Sequence, residues 1–306
     1  MFNLSTVSAL VLATLLSAHG IRKKSLSPSG ALAAFVVGFL MMSGGTRAFG
    51  VPLIGFYLAG SRATKYGKAR KAKLEDGYQE GGYRSATQVL CNSASALVAC
   101  VAWNALFAPQ SAHAAFAGAL VTRILPLRVK TSDLLSLCAI SPSLGEGWSR
   151  ALILAGLGHF ACCLGDTLAS ELGILSKGKP RLITTLKHVP PGTNGAMSIG
   201  GTVASIAGGA FVGALTGVTL LVENRSCAVG ILGECVSLGA LFGGLGSLID
   251  SFLGATVQQT RYSTEKKLVL QDGNKEGTVI SGLNFLTNNQ INLVSSIACA
   301  VMGLLA

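Results

Sequence analysis

Long apolar stretches alternate with short polar segments along nearly the whole chain. The apolar segments cover about 4–19, 29–42, 48–60, 89–108, 111–125, 150–172, 197–222, 227–255 and 286–306, with a weaker one near 131–143 that Pro142 interrupts. Stretches that approach the roughly 20 residues needed to cross a bilayer predict transmembrane helices. The pattern therefore predicts an all-α, polytopic transmembrane bundle of about nine or ten spans. We expect the chain to form a single integral membrane domain over residues 1–306.

Composition agrees with this pattern. Hydrophobic residues make up 50% of the chain and charged residues only 12%, whereas soluble domains carry about 25% charged residues. The 39 glycines favour close helix packing, because small residues let membrane helices approach one another. The net charge of +11 sits between apolar runs, so the expected partner is the lipid bilayer and not a nucleic acid. The oligomeric state is left open.

Basic residues fall mainly in alternate loops. Of the 24 Lys and Arg residues, all but Arg47, Arg150 and Arg225 lie in the loops at about 20–28, 61–88, 123–130, 173–196 and 256–285. Cytoplasmic loops carry an excess of Lys and Arg, so this bias predicts that these loops are cytosolic and that both termini lie outside. The first apolar run lacks a basic leader and a transit signature. An endomembrane such as the endoplasmic reticulum is therefore expected in preference to a plastid.

The eight cysteines lie inside or at the edge of apolar runs without a C-x-x-C spacing. They are Cys91, Cys100, Cys138, Cys162, Cys163, Cys227, Cys235 and Cys299. We interpret them as small buried apolar side chains, and zinc or redox chemistry is not expected.

Two carboxylates, Asp166 and Glu171, end the apolar run that begins near Ala151. Acidic residues within a membrane span mark functional sites, and Mg²⁺ prefers one or two carboxylates together with substrate phosphates. On a helix, Asp166 shares a polar face with Ser170, while Glu171 points away. The two carboxylates could share one ligand only if the helix breaks or re-enters near Thr167 to Gly173, which is tolerated where a helix lines a cavity.

A basic loop follows this motif, with Lys177, Lys179, Arg181 and Lys187 as candidate phosphate ligands. It ends in Gly192-Thr193-Asn194-Gly195, before an apolar run that predicts a helix from about Ala196. These residues either form an anion site at the helix N-terminus or simply cap the helix through Thr193 or Asn194.

The same order of features recurs later in the chain. Asp250 precedes the basic loop 256–285, and Thr287-Asn288 opens the next apolar run, as Thr193-Asn194 does before. Asp250 is thus the natural second carboxylate. The recurrence suggests internal repeats, and sites in membrane proteins often lie where repeats meet.

Several motifs together resemble the transmembrane protein 19 family. They lie at 165–173, 189–195, 249–258, 24–31 and 88–92. That family includes a plastid phytyl-phosphate kinase, so the resemblance implies a prenyl- or polyprenyl-phosphate kinase that uses CTP or ATP. Asp166 and Asp250 would then hold Mg²⁺, and Ser170 and Glu171 are further catalytic candidates. Phosphates would be bound by the four cations of the basic loop together with Thr193, Asn194, Gly195 and Asn288.

Two other functions remain open from the residues alone. An intramembrane Asp166 and internal repeats also fit a transporter for a small ion or a phosphate metabolite. A non-enzymatic membrane scaffold is the third alternative.

Overall fold

The computed structural model describes residues 4–74, 76, 82–127, 133, 136–270 and 274–306. Its helices are α1 (Leu4–Arg22), α2 (Pro28–Met42), α3 (Gly50–Lys65), α4 (Lys68–Lys71), α5 (Ala86–Cys91), α6 (Ala94–Phe107), α7 (Ala112–Ile124), α8 (Trp148–Gly173), α9 (Ile199–Glu223), α10 (Gly230–Val257) and α11 (Asn288–Leu305). A 3₁₀ turn at Leu144–Gly147 leads into α8. The predicted all-α membrane class is confirmed.

Three helical segments are long and apolar enough to cross a membrane by length and composition, namely Leu144–Gly173, Ile199–Glu223 and Gly230–Val257. Shorter apolar helices include Pro28–Met42 and Ala94–Phe107. The count of nine or ten spans stays a prediction, and most of the N-terminal part of the weak crossing at 131–143 lies outside the described residues.

Helix α8 forms the centre of the bundle. Every residue from Leu152 to Gly165 is buried, which matches a stretch that is apolar or small on all sides. The helix packs against α3, α6, α9, α10 and α11. It runs without a break to Gly173, so the expected break near Thr167 to Gly173 does not occur and Glu171 stays on a different face from Asp166.

Glycine contacts let α8, α9 and α10 lie very close together. A Cβ atom at Gly165 of α8 would lie 2.7 Å from the carbonyl oxygen of Gly243 in α10. A Cβ atom at Gly209 of α9 would also meet the α10 backbone. Such contacts are typical of membrane helices that pack through small residues. The contact at Gly165 holds α10 against α8 at the residue that directly precedes Asp166.

Two loops carry short antiparallel strands that hydropathy did not predict. In the loop after α8, β1 (Arg181–Leu182) pairs with β2 (Ala196–Met197). After α10, three strands in the order β4 (Leu268–Val269), β3 (Thr260–Ser263) and β5 (Thr278–Ser281) form a second sheet. The two loops touch where the Asn194 backbone N–H donates to Thr260 Oγ1 at 3.1 Å.

The helix expected from about Ala196 begins at Ile199 instead. Residues 196–197 pair as β2, and Ser198 caps the helix by accepting a hydrogen bond from the Gly201 backbone N–H at 3.1 Å. The prediction of Thr193 or Asn194 as N-cap is therefore wrong. Thr287, in contrast, caps α11 in a capping box with Gln290.

The bundle has two ends that are chemically distinct. The cavity face is the end that contains Gly173, Ile199, Val257 and Asn288. The disulfide face is the opposite end, where Cys138 and Cys227 form a disulfide across 89 residues of sequence. The interpretation of all eight cysteines as plain apolar side chains is thus wrong for this pair, because the fold brings two distant thiols together.

Candidate functional site

A polar cavity of about 590 Å³ opens at the cavity face. Its walls are the C-terminal parts of α8 and α10, the N-terminal parts of α9 and α11, and the loops between them. Of the residues predicted from the sequence, it brings together Asp166, Ser170, Glu171, Thr193, Asn194, Gly195, Asp250 and Asn288. Its volume lies within the range of about 300–1,000 Å³ that is usual for small-molecule sites.

The central feature of the cavity is the pair of Asp166 and Asp250. Their carboxyl groups lie close enough for a side-chain hydrogen bond, although 84 positions separate them in the chain. The Gly165 contact with Gly243 explains this proximity, since it brings α8 and α10 together just before Asp166. Both residues are half-buried and line the cavity.

Side chains from α11 orient Asp250. Ser295 Oγ donates a hydrogen bond of 3.0 Å to Asp250 Oδ2. With its amide assigned from its hydrogen-bond partners, Asn292 donates to the same oxygen at 3.2 Å and to the Asn288 carbonyl at 3.1 Å. The amide of Asn92, at the end of α5, lies 3.5 Å from that of Asn292. A polar chain thus runs from Asp250 towards α5.

The sequence analysis did not single out Asn292 or Ser295. A signal for them existed, because Asn288, Asn292 and Ser295 follow the i, i+4, i+7 spacing of one helix face. Their polar character stands out on a helix whose other face is apolar. Gln88 and Asn92 have the same four-residue spacing and also line the cavity.

The donor set around the two aspartates suits a hard divalent cation. It consists of carboxylate, amide and hydroxyl oxygens, which are the ligands that Mg²⁺ prefers. Arg84 is the only Lys or Arg side chain among the described lining residues, so no basic group lies between the two carboxylates. A cation there would offset their mutual repulsion. The described residues contain no cluster of three or more His, Cys, Asp or Glu side chains suited to a metal, so substrate oxygens would have to complete the shell.

Glu171 has a different set of contacts. Lys71 Nζ donates to Glu171 Oε2 at 2.6 Å, and Thr64 Oγ1 donates to Glu171 Oε1 at 2.6 Å. Lys71 is fully buried and also donates to the carbonyls of Ala63 and Thr64. The carboxylate therefore ties α8 to α3 and α4 through an ion pair with a buried lysine.

Arg84 stands beside that ion pair, on the wall of the cavity. Its Nη1 donates to Ser61 Oγ at 3.1 Å and its Nη2 to Thr64 Oγ1 at 3.4 Å. Burial lowers the pKa of the Arg84 guanidinium from its usual value, while the nearby Glu171 carboxylate opposes this shift. The guanidinium supplies the positive charge that an anionic ligand in the cavity would meet.

The turn at 192–195 shapes one wall of the cavity. Thr193 Oγ1 donates to the Pro190 carbonyl at 2.7 Å, and Asn194 Nδ2 donates to the Gln259 carbonyl at 3.3 Å. Gly195 has a φ of 74°, and a Cβ atom there would lie 2.3 Å from the Ser251 carbonyl oxygen. The turn is therefore held against α10 by backbone contacts. Asn288, at the first turn of α11, is exposed on the opposite wall.

The four cations of the basic loop lie outside this group. Lys177, Lys179, Arg181 and Lys187 are all exposed, and none of these four described residues lines the cavity. Arg181 Nη1 donates to the Leu186 carbonyl at 2.8 Å, which stabilises its own hairpin. Ser170 does line the cavity, where its hydroxyl donates to the Thr167 carbonyl at 3.1 Å.

The fold and the cavity define a multi-pass integral membrane protein with an acidic polar site at one end of its helices. The chain belongs to the integral membrane protein family DUF92, which it matches over residues 11–300. This confirms the family resemblance seen in the sequence. Exposed apolar side chains such as Phe116 and Val222 are consistent with a protein surface that contacts the bilayer.

Three relatives illustrate the similarity of this chain to known proteins. Protein PGR of Arabidopsis thaliana is 35% identical over 292 residues, which cover 94% of this chain and 91% of PGR. The uncharacterized membrane protein MJ0933 of Methanocaldococcus jannaschii is 31% identical, over 55% of this chain and 56% of MJ0933. Protein VTE6, chloroplastic, of Arabidopsis thaliana is 27% identical, over 71% of this chain and 56% of VTE6. No solved structure matches the chain.

The name of VTE6 places that relative in the chloroplast. The comparisons therefore give no support to the expectation of an endoplasmic reticulum membrane in preference to a plastid one. The chain spans only about half of VTE6 and of MJ0933.

Proposed function

We propose that this protein is a membrane kinase that transfers a phosphoryl group from CTP or ATP to an isoprenoid monophosphate. The observation that carries the proposal is the contact between Asp166 and Asp250 inside a polar cavity at the end of the helices. Phosphoryl transfer needs mainly the positioning of two phosphates and the neutralisation of their charge. The family resemblance implies the same class of reaction.

In this proposal Asp166 and Asp250 hold Mg²⁺, which when bound neutralises charge on the transferred phosphoryl group. Asn292 and Ser295 keep Asp250 oriented through their hydrogen bonds to Oδ2. Arg84 supplies a positive charge for the phosphate of the acceptor lipid. The exposed Lys177, Lys179, Arg181 and Lys187 would attract the nucleotide from solution, which is a role that does not require them to line the cavity.

An oxygen of the lipid monophosphate forms a bond to the γ-phosphorus of the nucleotide, while the bond from that phosphorus to the β–γ bridging oxygen breaks. The products are the lipid diphosphate and the nucleoside diphosphate. The cavity has to hold both phosphates so that the attacking and leaving oxygens are in line.

The test is phosphoryl transfer by purified protein in lipid nanodiscs. CTP or ATP labelled at the γ-phosphate is supplied with a panel of isoprenyl monophosphates of different lengths, and with the matching isoprenols as controls. We expect labelled diphosphate from at least one monophosphate and none from the alcohols. Uptake of a phosphate compound into liposomes without nucleotide turnover, together with no transfer, would favour the transporter alternative and reject the kinase.

A further inference from the structure

A second, apolar cavity of about 80 Å³ lies between the first helices of the chain. We call it the apolar cleft. Its lining residues are Leu12, Ala13, Leu16, Ser17, Leu26, Ala34, Val37, Gly38, Met42, Leu53, Ile54, Phe56, Tyr57, Arg84, Gln88, Val89 and Asn92. Apart from a few polar groups at one end, these residues present only hydrocarbon.

The polar end of the cleft joins the acidic cavity. Arg84, Gln88 and Asn92 line both spaces, so the two meet at these three side chains. Beyond Asn92, the Asn292 amide lies 3.5 Å from the Asn92 amide, and in its assigned orientation it donates to Asp250 Oδ2. The lining of the two adjacent cavities thus changes from acidic, through a cationic and amide-lined junction, to apolar.

The order of these groups matches one kind of molecule. A guanidinium and two amides suit an oxyanion at the junction, while the cleft beyond them can contact only an apolar chain. A free phosphate or a nucleotide would leave the cleft empty. A lipid alcohol would fill the cleft but would bring no oxyanion to the junction formed by Arg84, Gln88 and Asn92.

We propose that the apolar cleft binds the part of a single hydrocarbon chain next to the phosphate of a lipid monophosphate, whose phosphate lies at Arg84, Gln88 and Asn92. This inference rests on the proposed function, because this lipid is the phosphoryl acceptor. The cleft is small, and lining side chains such as Leu16, Phe56 and Val89 are only half-buried. The remainder of the hydrocarbon chain therefore extends into the bilayer. The protein recognises the phosphate and the first segment of the lipid tail.

The first experiment is photo-crosslinking in nanodiscs of phospholipid, in the absence of nucleotide. One isoprenyl monophosphate probe carries a diazirine near its phosphate, and a second carries it at the far end of the tail. We expect the first probe to label α1, α2, α3 and α5, which together line the cleft, and the second to label mainly bilayer lipid. Labelling of other helices by the first probe would overturn the proposal, as would equal labelling by the corresponding alcohol.

A variant of Gly38 in α2 tests the cleft directly. A Cβ atom at Gly38 would meet only Ala13 Cβ, at 3.9 Å, so the backbone at this lining position can accept a side chain, and Gly38→Leu would reduce the space in the cleft. Gly118→Leu in α7 is the matched control, because a Cβ atom at Gly118 meets no atom within 4 Å. We expect Gly38→Leu to reduce labelling by the first probe at least about tenfold, and Gly118→Leu to leave it unchanged.

Kinetics separate this inference from the proposed function. If the protein is a kinase, Gly38→Leu should raise KM for the lipid and leave KM for the nucleotide unchanged. Phosphate-dependent labelling of the cleft without any phosphoryl transfer would reject the kinase and keep the binding site. Phosphoryl transfer that Gly38→Leu does not alter, with labelling also unaltered, would reject the cleft as the site of the tail.

Discussion

The cavity face and the disulfide face of the same bundle contain charged residues in opposite arrangements. At the disulfide face, Arg47 pairs with Glu223 at 3.3 Å and Arg150 pairs with Glu234 at 2.5 Å. At the cavity face, Asp166 and Asp250 contact each other, and no Lys or Arg lies between them among the described lining residues. Acids that are already paired stabilise the fold, whereas two adjacent carboxylates without a cation are suited to bind one.

The difference between paired and unpaired acids also appears within the segment 165–173, which contains both Asp166 and Glu171. Glu171 lies five residues after Asp166 and lines the same cavity, but its carboxylate is paired with the fully buried Lys71. Glu171 therefore belongs with the structural ion pairs of the disulfide face, although it is located at the cavity face. The comparison predicts that the acidic residues divide into two groups, one that affects activity and one that affects stability.

The largest effect is expected from Asp250→Asn. It should reduce phosphoryl transfer by about 1,000-fold, because loss of a metal ligand removes several kcal/mol of transition-state stabilisation. Glu234→Gln is the matched control, since it removes a carboxylate near the other end of the same helix. Initial rates in nanodiscs measure both. Equal losses in the two variants would show that α10 simply tolerates no change of charge.

Glu171→Gln should act on stability. It leaves the buried Lys71 ammonium without its counter-ion, which costs about 3–5 kcal/mol. Arg47→Gln is the control, with an expected cost of about 0–1 kcal/mol, because that Arg side chain is 40% exposed. Thermal or denaturant unfolding in detergent measures the difference. A normal stability together with lost activity in Glu171→Gln would instead place this carboxylate in the reaction.

Cys138→Ser should destabilise the protein by about 2–4 kcal/mol, because it opens a loop of 89 residues in the unfolded chain. The Tm of the wild-type protein should fall on reduction to that of the variant, and the Tm of the variant should not respond to reductant. Phosphoryl transfer should persist at temperatures where the variant is folded. A variant that is fully stable but inactive would contradict the assignment of the disulfide face as structural.

The smallest effect on stability and activity is expected from Lys177→Cys, because Lys177 is exposed in a basic loop. Disulfides persist in oxidising compartments, and basic loops face the cytoplasmic side. Both rules predict that the cavity face lies on the reducing side of the membrane. A membrane-impermeant maleimide should thus label Lys177→Cys only from that side. Labelling from the opposite side alone would invert the topology.

Local rules in the sequence predicted the helical class, which is confirmed, and singled out Asp166 and Asp250, which the structure places in one cavity. Hydropathy identifies long apolar helices, and a carboxylate within such a helix is costly wherever the helix packs. The contact of Asp166 with Asp250 could only be suggested, since it depends on the approach of Gly165 to Gly243. The role of the pair as metal ligands remains a prediction.

Other features depended on contacts that no local pattern reveals. The pairing of Cys138 with Cys227, and of Lys71 with Glu171, joins positions 89 and 100 residues apart. Strands of two residues, such as Arg181–Leu182, are too short for hydropathy to indicate. Asn292 and Ser295, in contrast, could have been found from their helical spacing to Asn288.

The central claim is that Asp166 and Asp250 together hold a divalent cation with the phosphates of the substrate. Titration of Mn²⁺ in the presence of nucleotide, followed by electron paramagnetic resonance, measures this binding without reference to turnover. We predict that Asp166→Asn weakens Mn²⁺ binding at least about tenfold, while Glu234→Gln leaves it unchanged. Equal Mn²⁺ affinity in the wild-type protein and in Asp166→Asn would contradict the account.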